Sequence, residues 1–140
     1  MGPPALDFAM DRRFFLSLVG AFAAAPQTSS PPPRVRVVAT IPLPAPYEKQ
    51  TATLVELNLA AGAPSGAPHR HPGFVLGYVI EGQVRFQVAG EAPRVLQAGE
   101  TFYEPPGARH LIAESARADR PARALAIVIA ESGLAITEPL

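Results

Sequence analysis

His69, His71 and His110 are the only histidines in the chain, and all three fall between Gly62 and Glu114. His69 and His71 stand two apart in a segment rich in strand-forming residues. Alternation along a strand puts both rings on one face, roughly 6.5–7 Å apart at Cα, so two imidazoles can reach one ion. His110 follows Pro105-Pro106-Gly107 and opens another apolar run, so a separate strand can bring up a third nitrogen. Taken singly, each would be an ordinary surface or core histidine; the spacing is what suits chelation. Neutral imidazole binds iron, zinc, manganese, nickel or copper, so the donor set implies a divalent transition metal without naming it. Three protein ligands leave a coordination position open, the arrangement of a reactive site rather than a structural one.

These residues lie in two longer patterns. Gly62, His69-x-His71 and the run Val75 to Glu81 before Gly82 resemble the first motif of the cupin superfamily. Gly99, Pro105, Gly107 and His110 follow the spacing of its second motif. The resemblance covers roughly residues 50–130. It implies an all-β fold, the double-stranded β-helix or jelly-roll barrel, in its small single-domain form with a three-histidine metal site. Two positions depart from the pattern: Val75 stands where the family usually carries a carboxylate ligand, and Glu114 stands where the second motif usually ends in Asn. One extra residue also separates Gly62 from His69. The resemblance therefore points to the three-ligand form.

Charge narrows the chemistry. Three neutral histidines leave a divalent ion its full double charge, and Val75 cannot coordinate, so hydroxide or the ligand itself must compensate. Enolates of diketones, carboxylates and thiolates fit that need. Among cupins, three-histidine iron sites occur in β-diketone-cleaving, gentisate-type and thiol dioxygenases. Glu104 lies six residues before His110, where the β-diketone-cleaving enzymes carry a second-sphere glutamate. On a regular strand it shares a face with Phe102, so it is the catalytic candidate, accepting an imidazole N–H or a substrate proton. The plainer reading is an exposed glutamate before a turn. Glu114 reaches the same strand face as His110 by alternation, but solvated pairing with the loop Ala116–Arg120 is the simpler expectation. Tyr78 and Tyr103 read as packed aromatics with satisfied hydroxyls. Arg70 points to the face opposite the histidines, in a structural or subunit contact, and Arg109 is placed at the barrel mouth, able to attract a carboxylate, with a plain surface role as the equal alternative. The chain thus reads as an exported metal-binding protein for a small anionic organic molecule, dioxygenase-like if an enzyme. A non-redox Zn or Mn isomerase, hydrolase or decarboxylase is an alternative, and so is a non-catalytic binding module.

The elements that must position these groups are short strands. Arg34–Ala39 alternates, with Pro42, Pro44 and Pro46 reading as an extended loop behind it. Thr51–Ala60 is a second strand. Phe74–Ile80 is almost wholly apolar, as for a strand covered on both faces. Its outward set, Phe74, Leu76, Tyr78 and Ile80, then needs cover from a second copy in a homodimer or from the N-terminal strand. Val84–Val88 alternates, Arg94–Leu96 and Thr101–Tyr103 are short, and His110–Ala113 and Ala124–Ala130 complete the set. No segment carries a helical period, and Gly and Pro punctuate the whole, as in a jelly roll or barrel.

Ahead of this, residues 1–25 read as a signal peptide, 26–33 as a Pro/Ser-rich spacer, and 34–140 as the barrel. Asp11-Arg12-Arg13-Phe14-Phe15-Leu16-Ser17 resembles the twin-arginine export motif. The apolar run from Phe14 to Ala25 falls short of the about 20 residues a membrane span needs. Ala21-x-Ala23 is the best cleavage site, and Met10 is an alternative start. The expectation is export to the periplasm with no stable membrane insertion after processing; an N-terminal helix on the barrel or an uncleaved anchor is the alternative. At 140 residues one domain is expected. Zero formal net charge without a basic block excludes nucleic acid as a partner. The lack of cysteine excludes disulfides, zinc-thiolate sites and cysteine nucleophiles.

Overall fold

The structure is a computed structural model that describes residues 34–140. The expected leader, cleavage site and spacer lie outside the described residues. No helix occurs among the described residues, so none there is long and apolar enough to cross a membrane. The described residues form ten strands: β1 (Val35–Pro42), β2 (Gln50–Leu59), β3 (His69–Arg70), β4 (Phe74–Glu81), β5 (Gln83–Val88), β6 (Arg94–Gln97), β7 (Thr101–Glu104), β8 (Arg109–Ser115), β9 (Ala122–Glu131) and β10 (Glu138–Pro139). They make two five-stranded antiparallel sheets, ordered β1-β2-β9-β4-β7 and β10-β3-β8-β5-β6. This is the jelly-roll barrel, the double-stranded β-helix.

Period-two alternation decides which side chains fill the space between the sheets. Val55 and Leu59 of β2, Val75 and Val79 of β4, Phe102 of β7 and the β9 row Ala122 to Val128 face in from one sheet. Val84, Phe86 and Val88 of β5 with Leu96 of β6 meet them from the other. The Phe86 and Phe102 rings stack with centroids 4.7 Å apart. Gly77 permits this: a Cβ there would lie 2.0 Å from the Phe102 ring. Gly82 (φ 75°) and Gly107 (φ 72°) turn the chain in left-handed backbone that other residues adopt only at a cost, the first between β4 and β5, the second just before His110.

Some expected boundaries and surroundings change. β1 continues through Pro42, which pairs with Thr51, rather than yielding to a loop after Ala39. It is an edge strand, so a proline there removes no ladder bond on its open side. Among the described residues β4 is covered on one face only. Leu76, Tyr78 and Ile80 point outward and are 45%, 48% and 39% exposed, and β1, paired with β2 at the edge of the same sheet, does not cover them. Tyr78 and Tyr103, expected to be packed, belong to this open outer face. Phe74 is half-buried against Tyr103, ring centroids 6.3 Å apart.

Candidate metal centre

Pairing of β3 with β8 sets His69 directly opposite His110. His71 lies just past the end of β3, where the chain crosses toward β4, and its carbonyl accepts the Gly107 N–H at 3.1 Å. That bond ties the turn of the second motif to the crossing of the first. The three rings converge, with centroids 5.0 Å (His69–His71), 5.0 Å (His69–His110) and 6.3 Å (His71–His110) apart. One ring nitrogen from each lies within 4.8 Å of the others.

The remaining ring nitrogens orient the cluster. His69 Nδ1 is 3.0 Å from the Ala67 carbonyl, His71 Nδ1 2.6 Å from the Ile136 carbonyl, and His110 Nε2 2.9 Å from the Ile112 carbonyl. A carbonyl can only accept, so each ring carries its proton there and turns the lone pair of its other nitrogen inward. Burial holds the His71 pKa below the ordinary histidine value, although the Ile136 carbonyl and the Glu104 carboxylate pull the other way. That direction favours the neutral imidazole, the form that ligates.

Glu104 joins them. It is 1% exposed and faces inward with Phe102, against the reading of an exposed glutamate before a turn. Its Oε1 lies 3.1 Å from His110 Nδ1 and its Oε2 3.7 Å from His71 Nε2. Glu104 Oε2 and His110 Nδ1 are both buried without a hydrogen-bond partner among the described residues. Buried polar atoms are almost always paired, so lone pairs converging on one point without a donor fit a cation. The residues present therefore suit a divalent transition ion held by His69, His71 and His110.

Other candidates fall away from this centre. Glu114 does not share the His110 face. The β5–β8 register slips between Gln87 and Val88, so Leu111 bulges and reverses the alternation beyond it. Glu114 turns outward, accepting from Ser65 N–H at 2.9 Å and lying 3.4 Å from Arg85, not in the loop that follows. Arg109 is exposed opposite Arg70 in the β3–β8 pair and does not line the cavity. Arg70 is structural: its Nε donates to Glu138 at 2.8 Å, holding β10 to β3.

A cavity of about 280 Å³ opens over the histidines. Val55, Leu57, Leu59, Leu111, Val128 and Ile136 give it apolar walls. Among the described residues its one guanidinium or ammonium group is that of Arg34, which donates to the Ala113 carbonyl at 2.5 Å and the Pro64 carbonyl at 3.2 Å. Sequence reasoning overlooked Arg34, and no local signal marks it. Only the β1–β2 pairing carries it to the cavity.

The chain matches the family model described as "Cupin domain" over residues 55–128. No curated protein sequence matches. Among solved structures, a cupin-like protein from Thermotoga maritima is 25% identical with a TM-score of 0.55, the match covering 64% of each chain. A double-stranded β-helix protein from Klebsiella pneumoniae is 20% identical with a TM-score of 0.55, covering 71% of this chain and 76% of that one. The DMSP lyase DddQ from Ruegeria pomeroyi is 24% identical with a TM-score of 0.52, covering 65% of this chain and 43% of the lyase. The match thus spans just under two thirds of the Thermotoga protein and less than half of the lyase. The latter two likenesses speak to the fold alone.

Proposed function

Because this chain belongs to the cupin family, we propose that it holds a divalent transition metal on His69, His71 and His110 and there binds or activates a small anionic organic molecule. The observation that carries the reading is the set of inward lone pairs, each fixed by a carbonyl on the far side of its ring. A bound ion of this kind supplies Lewis acidity and, if it is iron, oxygen activation. The rest is the chain's own work. Apolar walls shed water and favour a ligand with a hydrocarbon body, while Arg34 favours one carrying negative charge. Glu104 is the carboxylate placed to take a proton that such a ligand sheds. Dioxygenation of a diketone, phenol or thiol is the first chemistry to try.

The test is metal analysis of freshly purified protein, followed by oxygen uptake across a diketone, phenol and thiol panel. Iron near one per chain with uptake supports the dioxygenase. Zinc without iron turns the reading to non-redox chemistry, metal with bound anion and no turnover to a binding module, and no transition metal at all refutes it.

Two proposals concern the setting. The chain is exported by its twin-arginine-type leader, a route that carries folded protein with its metal already loaded. Arg12→Lys with Arg13→Lys should leave unprocessed protein inside the cell; normal periplasmic recovery of a shortened form would end that assignment. The chain also pairs as a homodimer through the open outer face of β4 and β7, where Leu76, Tyr78, Ile80 and Tyr103 lie exposed. Light scattering at micromolar concentration should give twice the chain mass, and a monomer would dispose of the idea.

A further inference from the structure

We propose that Glu104 is itself a metal ligand, the carboxylate missing at Val75 supplied from the neighbouring strand. The inference rests on the metal reading above. Val75 and Glu104 are direct partners in the β4–β7 register. Directly opposed residues project to the same face with Cβ atoms about 4.5–5.5 Å apart. Both point into the barrel, 0% and 1% exposed. A carboxylate transferred from one strand to its partner therefore arrives at nearly the same place.

Distances agree. Ligands bound at about 2.0–2.1 Å around a tetrahedral ion stand about 3.3 Å from one another. Glu104 Oε1 lies 3.1 Å from His110 Nδ1 and Oε2 3.7 Å from His71 Nε2, on either side of that spacing. The atoms already within 4.8 Å of one another are those of the three histidines, so Glu104 closes toward His69 when the ion binds. In the neutral ring that ligates a metal, the competing role, accepting an N–H from His110, is removed by that ring's own bond. Its Nε2 donates to Ile112, so Nδ1 presents a lone pair to the carboxylate. Two acceptors 3.1 Å apart in a dry interior repel, and a shared cation satisfies both. A ligated Glu104 also changes the electrostatics: a divalent ion would keep one net positive charge instead of two. A ligand with a single negative charge then makes the site neutral, while the apolar walls accept its body.

The experiment uses Zn(II) affinity, by competition with a chromophoric chelator, and the Co(II) absorption spectrum of the purified chain. Glu104→Gln keeps the shape and removes the charge. Exchanging the pair, Val75→Glu with Glu104→Val, returns the carboxylate to the other strand. Losing a group that merely positions a ligand costs about 10–100-fold in affinity. Glu104→Gln should lose more than that and shift the Co(II) bands, and the exchanged pair should recover to within about 10-fold of the parent. A smaller loss in Glu104→Gln, or an unchanged Co(II) spectrum, overturns the proposal while leaving three-histidine binding intact. So does an exchanged pair that folds yet binds no better than Glu104→Gln. If the parent chain takes up neither ion, the metal reading itself fails, and this proposal with it.

Discussion

His69→Ala, His71→Ala and His110→Ala should each emerge from purification folded and with little metal, losing far more affinity than any change that only positions a ring. The three rings are not equivalent in what else they do. His71 is buried and donates to the Ile136 carbonyl, so its removal leaves a gap and an unpaired acceptor beneath the cavity, at a cost of about 1–3 kcal/mol. His110 is buried against Phe86, ring centroids 5.1 Å apart, and its loss also opens the core. His69 is only half-buried, on a two-residue strand, so His69→Ala should cost the least in the metal-free state. Melting with and without EDTA separates the two effects. Metal at 100 times its Kd adds about 2.7 kcal/mol of stability, so the parent should melt lower once stripped. The alanine variants should melt alike with and without chelator, with His69→Ala nearest the stripped parent. Full metal occupancy in any of the three would remove that histidine from the ligand set.

Why the histidines were legible and their surroundings less so follows from the range of the forces involved. His69 and His71 needed only strand alternation, and His110 only the turn before it, so local spacing was enough. Glu104 was ambiguous because its burial depends on β7 pairing with β4, and the residue opposite it is 29 positions away in sequence. Glu114 was placed on the wrong face because one bulged residue, Leu111, reverses a period of two, and bulges carry no reliable local mark. Arg34 stands just ahead of β1 and reaches the cavity through the β1–β2 pairing, which is not local in sequence. At the other end β1 runs on through Pro42, because the open edge of a sheet tolerates it. The apolar run of β4 predicted cover on both faces, yet among the described residues only one face is covered. Composition states that a surface is apolar; it does not state what meets it.

Val75→Glu should make the fold depend on metal. Val75 is 0% exposed among the core residues, opposite Val128 on one side and Glu104 on the other. A glutamate there sets two carboxylates directly across a strand pair, where like charges repel, in a region that water does not reach. Without a cation, an uncompensated buried charge costs several kcal/mol, a large part of the about 5–15 kcal/mol that holds a domain of this size together. The stripped variant should therefore melt far below the stripped parent. With metal, both carboxylates face a partner of opposite sign, and most of that loss should return. The gap between loaded and stripped melting temperatures should accordingly exceed that of the parent. The same change should weaken anion binding. Two carboxylates neutralise a divalent ion and occupy positions that a chelating anion would take, so calorimetry with a diketone enolate should show affinity falling about 100-fold or more, beyond what loss of a positioning group costs. Melting that ignores EDTA, together with enolate affinity equal to the parent's, would mean that position 75 does not face the ion. The electrostatic case for a small anionic ligand would then lose its footing.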